Sequence, residues 1–309
     1  MTEELTLPKL KVGVIGNGAW GKRIQATLKS KTKHCELANV FSRLHYSPAR
    51  FENLNRFSFI VIATPFQTHA QYMRLCLEQG VPFIVEKPAA SYIELQQLHR
   101  EFAKPNAVPG CPLMLCNHTL LFNPAIEAMK AAMTYQTPIL LRGEHGGPGP
   151  LRDDCSALLD YGAHGVALGY WLSEAAHPVA IKVDATALTP EGAQSYCFQT
   201  FLKHLNVRLR VSNEYKFKRL KYTVETAQYD TYRFDDRDEH KLYGYTGPRL
   251  EPLAYSPVEP LTNALDTFAV AVREQALGHV TRDTRFGWDL PMAVMATLES
   301  AEELVRVQG

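Results

Sequence analysis

Residues 10–21 read LKVGVIGNGAWG, an apolar run that is followed at once by a glycine-rich loop. KRIQATLKS comes next and has the composition of a helix. A GxGxxG pattern alone is weak, but strand, loop and helix in this order are the context of a dinucleotide-binding loop. Gly16 would allow the tight turn, Gly18 the approach of a pyrophosphate, and Gly21 the contact between helix and strand. The residues predicted to hold the dinucleotide here are Gly16, Asn17, Gly18, Ala19, Trp20 and Gly21.

Apolar strands and helices alternate as far as about residue 117. The predicted strands are 10–15, 36–42, 57–64, 81–87 and 112–117. Ser91 and Glu94 form the capping-box pattern at the start of one of the helices. Strands that are apolar on both faces are typical of a doubly wound parallel sheet, as in the Rossmann fold.

Beyond residue 120 the pattern changes to strand after strand, with apolar and polar residues alternating. The runs at 178–188, 204–211, 221–226 and 229–234 show this period of two, which indicates a largely antiparallel sheet with one wet face. Two helices, 261–277 and 289–307, close the chain. The sequence therefore predicts an α/β protein with a dinucleotide-binding domain at 1–120 and an α+β domain at 121–309.

The end of the second strand bears on the choice of cofactor. An NAD site usually has Asp or Glu here, which accepts from the ribose hydroxyls. This chain has Phe41, Ser42 and Arg43 instead. A hydroxyl and a guanidinium suit a 2′-phosphate, so NADP is favoured while NAD stays possible. The other interpretation of Arg43 is a solvated loop residue.

Composition excludes several classes of protein. The chain has 309 residues and a formal net charge of +1, so its totals give no sign of nucleic-acid binding. No apolar run is long enough to span a membrane, and the N-terminus lacks the apolar core of a signal peptide. Six cysteines without a CxxC pair are better read as reduced thiols than as a metal site. We expect a cytoplasmic protein that contacts neither nucleic acid nor membrane.

Four stretches together resemble the Gfo/Idh/MocA family of oxidoreductases, named for glucose–fructose oxidoreductase and inositol dehydrogenase. They are GNGAWG at 16–21, ATPFQTHA at 63–70, VEKPAA at 85–90 and ALLDYGAHGVALGYWL at 157–172. The resemblance runs from about residue 10 to about residue 305. It implies hydride transfer between a nicotinamide and a sugar, cyclitol or related polyol. It also implies a homodimer or homotetramer formed through the C-terminal sheet.

The resemblance implies that Lys87, Asp160 and His164 are the catalytic residues. Lys87 would donate to the substrate oxygen, and His164 would act as general acid or base. Asp160 would position the substrate or raise the basicity of His164. A spacing of four predicts that Asp160 and His164 share one helical face. The wall of the cofactor site is predicted to include Thr64, Pro65, His69, Glu86 and Lys87.

Some positions depart from the family pattern. Phe66 stands where Asn is common, Leu121 where Arg is common, and Val166 where a second Asp often follows the histidine. These positions would line the substrate pocket, so the substrate class stays open. Two other functions also stay open: a non-catalytic NADP-binding sensor, and a lyase or glycosidase in which hydride leaves and returns within one turnover.

Two further expectations concern local structure. Gly162, Gly165 and Gly169 would leave their segment thin, so that it could approach a ligand or the other domain. The tyrosine-rich stretch 215–234 would place aromatic residues on an exposed sheet face used for dimerisation.

Overall fold

The computed structural model describes residues 7–42, 51, 53–103, 111–149, 154–188, 194–246 and 249–308. The chain forms two compact units that interleave in sequence. The first comprises Met1–Asn117 and Val258–Trp288, and the second comprises His118–Pro257 and Asp289–Gly309. A division by one cut at residue 120 assigns 258–288 to the second domain, whereas its contacts lie with the first unit.

The secondary structure follows the predicted order. The α-helices of the described residues are α1 Ala19–Ser30, α2 His69–Glu78, α3 Tyr92–Phe102, α4 Pro124–Ala132, α5 Ala163–Ser173, α6 Pro260–Ala276 and α7 Asp289–Gln308. The strands of the first unit are β1 Leu10–Ile15, β2 Cys35–Phe41, β3 Phe59–Ile62, β4 Phe83–Glu86 and β5 Met114–Asn117. Those of the second are β6 Pro138–Gly146, β7 Ala180–Leu188, β8 Gln194–Leu202, β9 Leu205–Ser212, β10 Arg219–Thr226, β11 Thr231–Asp235, β12 Leu242–Thr246 and β13 Arg249–Pro252.

The first unit is built on a five-stranded parallel sheet in the order β2-β1-β3-β4-β5. Every residue of β3 and β4 is buried, as expected for central strands of a sheet covered on both faces. Parallel strands place their carboxyl ends at one edge, which is the edge where open α/β sheets bind ligands. The predicted doubly wound sheet is confirmed.

Two helices of this unit show how the sequence encodes their positions. Ser91 caps α3 by accepting from the amide of Glu94, and the Glu94 carboxylate accepts in return from the Ser91 amide, so the predicted capping box is confirmed. Helix α6 packs Phe268 edge-on against Phe59 of β3, with ring centroids 5.2 Å apart. The α6 carboxylate of Asp266 accepts from the backbone amides of Lys33 and His34.

The second unit contains an eight-stranded sheet in the order β13-β12-β11-β10-β6-β9-β8-β7. The pair β6 and β9 is parallel and the other neighbours are antiparallel, so the predicted largely antiparallel sheet is confirmed. In β9, Val207, Leu209 and Val211 are buried while Arg208 and Arg210 are exposed. The alternation in the sequence therefore separates the core face from the polar face.

The glycines of α5 serve packing within the second unit. A Cβ on Gly165 would lie 2.7 Å from a Leu209 methyl, and one on Gly169 would lie 2.8 Å from a Val207 methyl. These two glycines let α5 approach β9 closely. The expectation that they thin the segment for a ligand or another domain is therefore wrong for Gly165 and Gly169.

The three aromatic residues that lie in β10 and β11 face the core, whereas Phe217 and Tyr229, outside these strands, are 65% and 96% exposed. Tyr222, Tyr232 and Phe234 are 0%, 2% and 0% exposed. The outward side chains of the same strands are polar, including Glu225, which pairs with Arg142 of β6. The expectation of an aromatic exposed sheet face is wrong, because the period of two turns these rings inward. No helix among the described residues has the length and apolar character needed to cross a membrane.

Candidate active site

The glycine loop at the end of β1 leaves room for a ligand at the N-terminus of α1. Gly16 has φ +121°, and a Cβ there would lie 2.1 Å from the carbonyl oxygen of Ala63. A Cβ on Gly21 would lie 2.5 Å from the carbonyl oxygen of Gly16, so the helix rests directly on the loop. A Cβ on Gly18, in contrast, would meet no atom within 4 Å. The first and third glycines are thus required by the fold, and the second opens space beside the helix N-terminus, as a bound pyrophosphate requires.

Polar contacts hold this loop in place. The amide of Gly16 donates to the carbonyl of Phe41 at 2.9 Å, which brings the end of β2 beside the loop. Ser42, the next residue, is partly exposed there, and Arg43 lies outside the described residues. The side-chain amide of Gln25 donates to Asn17 Oδ1 at 3.2 Å and to the Gly16 carbonyl at 3.3 Å. Sequence reasoning missed Gln25, whose only signal was its position two turns into the helix after the loop.

A buried carboxylate stands at the carboxyl end of β4. Glu86 is 7% exposed and accepts from Asn117 Nδ2 at 2.7 Å and from the indole of Trp20. Burial raises the pKa of Glu86, while the bonds from Trp20 and Asn117 and the charge of Lys87 lower it. The carboxylate therefore joins the glycine loop, β4 and β5. Asn117 was not predicted, although a polar residue at the end of the apolar run MLCN was a signal.

Lys87 follows this carboxylate directly. Its side chain is partly exposed, whereas Pro88, joined to it by a cis peptide bond, is buried. Thr64 and Pro65 lie at the same edge, after β3, and the Thr64 hydroxyl accepts from Thr68 at 2.8 Å. These predicted residues therefore all lie at the carboxyl ends of β3 and β4, within the first unit.

His69, also predicted for the cofactor wall, is enclosed by backbone. It is 2% exposed and begins α2. Its Nδ1 lies 2.8 Å from the carbonyl oxygen of Pro88, and its Nε2 lies 2.8 Å from that of Thr64. Both ring nitrogens thus face the protein itself.

The second unit carries the remaining predicted residues beside two further histidines. The ring of His164 lies 5.8 Å from that of His118 and 5.3 Å from that of His145, centroid to centroid. His118 and His164 are 1% and 8% exposed. Nδ1 of His145 contacts the carbonyl oxygen of Tyr161 at 3.0 Å. No group of three His, Cys, Asp or Glu suited to a metal ion occurs in the described part of the chain.

Asp160 lies in an irregular turn before α5. Residues Leu158–Gly162 form a π-helical turn, whose hydrogen bonds span five residues instead of four. The spacing argument for Asp160 and His164 assumed a regular α-helix, whereas Asp160 lies in the π-helical turn and His164 lies in α5. Such turns are frequent at functional sites.

The departures from the family pattern have different surroundings. Leu121 and Val166 are 1% and 0% exposed in the second unit. Phe66 is partly exposed in the first, with its ring perpendicular to that of His69 at 6.3 Å. Buried apolar side chains thus replace polar groups at two of these positions.

The fold and the loop agree with a comparison against protein families. Residues 10–108 match the model of the Gfo/Idh/MocA oxidoreductase family, described as having an NAD-binding Rossmann fold. Over these residues the chain is similar to the Gfo/Idh/MocA oxidoreductases. The predicted resemblance is confirmed by this match, which is to a family of NAD-binding oxidoreductases. No curated protein matches the chain.

Several solved structures share the fold over nearly the whole chain. UDP-N-acetylglucosamine 3-dehydrogenase from Acidithiobacillus ferrooxidans has a TM-score of 0.80 at 19% identity, covering 96% of this chain and 97% of its own. Aldose–aldose oxidoreductase from Caulobacter crescentus has a TM-score of 0.79 at 16% identity, covering 98% and 99%. An oxidoreductase from Agrobacterium radiobacter in complex with NAD+, L-tartaric acid and magnesium has a TM-score of 0.77 at 16% identity, covering 98% of each chain. At these identities the likeness shows the fold alone.

The free space at Gly18 allows a substitution that affects cofactor affinity without affecting the stability of the fold. We expect Gly18→Ala to keep the melting temperature of the wild type, because its Cβ meets no protein atom. It should weaken NADH and NADPH binding by about tenfold or more, because the methyl group occupies the space of the pyrophosphate. Thermal unfolding and nicotinamide fluorescence titrations measure the two effects. Ser30→Ala, at the exposed last residue of α1, is the control, and unchanged affinity in Gly18→Ala would contradict the assignment.

The buried carboxylate predicts a pH-dependent stability. Because burial raises the pKa of Glu86 in the folded chain, ionisation of this group costs more in the folded than in the unfolded state. The wild type therefore loses stability as pH rises from the ordinary glutamate pKa through the raised one, and Glu86→Gln does not. We expect the melting temperature of Glu86→Gln relative to wild type to increase as the pH rises above the ordinary pKa of glutamate. Exposed Glu78→Gln serves as control, and a difference that is flat with pH would refute the prediction.

Proposed function

We propose that the protein is an NADP-dependent dehydrogenase or reductase that acts on the CH–OH group of a sugar, cyclitol or related polyol derivative. The observation that carries this proposal is the placement of Lys87 at the carboxyl end of β4, in the sheet whose β1 loop opens at Gly18. The names of the Acidithiobacillus and Caulobacter enzymes support sugars as the substrate class.

The cofactor site takes its shape from the first unit. Gly16 to Gly21 hold the pyrophosphate against the N-terminus of α1, and the edge formed by Thr64, Pro65 and Glu86 continues toward β4. The end of β2 would hold the adenosine ribose, and Thr64, Pro65, Glu86 and Lys87 would line the nicotinamide end of the site. When bound, the nicotinamide supplies the acceptor or donor of the hydride.

In this proposal Lys87 stabilises charge on the substrate oxygen and His164 transfers its proton. The ammonium of Lys87 donates to that oxygen and stabilises the negative charge that forms on it. In the oxidative direction the imidazole of His164 takes the hydroxyl proton, and in the reductive direction it returns the proton. Asp160 orients the substrate or His164 from the π-helical turn. The share of the protein is positioning and electrostatics.

The proposal includes the preference for NADP. It rests on the residues Ser42 and Arg43, because a hydroxyl and a guanidinium replace the carboxylate that reads an unmodified ribose. The contact of the Gly16 amide with Phe41 places Ser42 beside the glycine loop, in support of this role. The assembly as a homodimer or homotetramer through the sheet of the second unit remains part of the proposal.

Cofactor choice is tested by titrating the purified chain with NADPH and NADH. We expect the wild type to prefer NADPH. Arg43→Ala should weaken NADPH binding roughly ten- to a hundredfold and NADH binding little, because a hydrogen bond between charged groups contributes about 1.5–3 kcal/mol. Exposed Arg100→Ala is the matched control. An equal loss for both cofactors, or a wild-type preference for NADH, would remove the 2′-phosphate argument.

The catalytic role of Lys87 is tested by turnover. A panel of aldoses, cyclitols and nucleotide sugars is screened with both cofactors by nicotinamide absorbance. On the best substrate, Lys87→Ala should lower kcat by about a hundred- to a thousandfold, the scale of removing one oxyanion-stabilising donor. Its NADPH affinity should stay close to that of the control Lys29→Ala, which changes an exposed lysine of α1. Equal kcat in wild type and Lys87→Ala would sink the catalytic assignment.

A further inference from the structure

His69 makes two hydrogen bonds that a neutral imidazole cannot make together. The acceptors are the carbonyl oxygens of Pro88 and Thr64, each 2.8 Å from a different ring nitrogen. A carbonyl oxygen only accepts, so each ring nitrogen must carry a proton to bond with it. A neutral histidine has one N–H, and only the imidazolium has two.

The neutral form would leave a costly contact in either tautomer. One ring nitrogen without a proton would then face a carbonyl oxygen at hydrogen-bond distance. Because His69 is 2% exposed, water cannot relieve this contact. A buried acceptor without its donor loses the hydrogen bonds that water supplies in the unfolded chain. Protonation removes this conflict and makes both bonds charge-assisted.

The two acceptors belong to segments that leave the sheet at neighbouring positions. The pairing of β3 with β4 ends at Ile62 and Val85. Thr64 and Pro88 lie beyond that pair, and His69 bridges them from the first turn of α2. His69 therefore connects the two strands beyond their last paired residues. Its contact on the β4 side is with Pro88, the residue directly after Lys87.

We propose that His69 is a buried imidazolium that ties the end of β3 to the residue after Lys87, and so positions Lys87. It acts through backbone and is a positioning residue, whereas the sequence had suggested a contact with the cofactor. The effect on Lys87 rests on the proposed function. The protonation state of His69 is independent of it.

The described elements around His69 carry charged groups, which on α3 include Glu94, Arg100 and Glu101. The end of β4 contributes Glu86 and Lys87, and α2 contributes Arg74 and Glu78. Arg74 forms an ion pair with Glu101 of α3 at 2.6 Å. The segment from the end of β3 to α2, residues 63–68, contains no ionisable side chain. The ring nitrogens lie 2.8 Å from the carbonyl oxygens of Pro88 and Thr64, and Glu86 is the acidic residue nearest to Pro88 along the chain.

Nitrogen NMR of the full-length chain tests the protonation state without cofactor or substrate. The chain is labelled with ¹⁵N-histidine, and long-range proton–nitrogen spectra are recorded near neutral pH. The His69 signals are identified by their loss in His69→Gln and, if that variant does not fold, in His69→Asn. Exposed His279→Gln is the control. Two protonated ring nitrogens on His69 support the proposal, and one protonated with one bare nitrogen overturns it.

Kinetics test the positioning role. With the substrate found by the panel, His69→Gln should lower kcat on the order of ten- to a hundredfold, because small misplacement of a catalytic group has this effect. NADPH affinity should change much less, because both ring nitrogens contact backbone. His279→Gln should match the wild type. A drop confined to NADPH affinity, or no drop in kcat, overturns positioning of Lys87 even where the NMR shows the imidazolium.

Discussion

The close approach of Gly16 to the end of β3 is the constraint on which the first unit depends. Its left-handed backbone puts the glycine where any Cβ would overlap the Ala63 carbonyl. The same residue bonds to Phe41 at the end of β2, and Gly21 of α1 rests on its carbonyl. Strand ends and a helix start therefore converge on one glycine. The open side of the loop, at Gly18, is the space that this convergence leaves free.

Polar groups at this edge are stabilised by one another because the sheet beneath them is apolar. Glu86 is held by side chains, Trp20 and Asn117, and His69 is held by backbone carbonyls. Buried polar groups that keep their hydrogen bonds fix one arrangement, since any other leaves a donor or acceptor unsatisfied. The edge is thus specified by hydrogen bonding, and the sheet by apolar burial.

The sequence predicted what depends on local pattern. The strands of both sheets, the capping box at Ser91 and the glycine loop all follow from periodicity and spacing over a few residues. Family resemblance then directed attention to Lys87, Asp160 and His164, whose roles remain proposals. What depends on contacts distant in the chain could not be predicted: α6 joining the first unit, Gly165 fitting beneath Leu209, and Asn117 meeting Glu86.

Two other predictions, for Asp160 and for the tyrosines of β10 and β11, differed from the structure because local sequence patterns do not encode the tertiary contacts that decide them. In the π-helical turn at Leu158–Gly162, which includes Asp160, the hydrogen bonds span one more residue than in an α-helix. The composition of a sequence does not predict such a turn. The tyrosines of β10 and β11 were expected outside because they are mixed with Lys and Arg. Register decides the face, and Tyr222 pairs with Phe234 on the inward one.

These constraints explain why the apolar strand β4 ends in Glu, Lys and Pro. The carboxylate of Glu86 is buried, where Trp20 and Asn117 donate to it, whereas Lys87, the first residue after β4, is partly exposed. The carbonyl of Pro88 then meets His69, which holds the chain on the far side of the lysine. A flexible cationic side chain is thereby carried on a backbone that is anchored before and after it. Such anchoring is what a catalytic lysine needs, because the free energy of ordering it is spent in folding and not in each turnover.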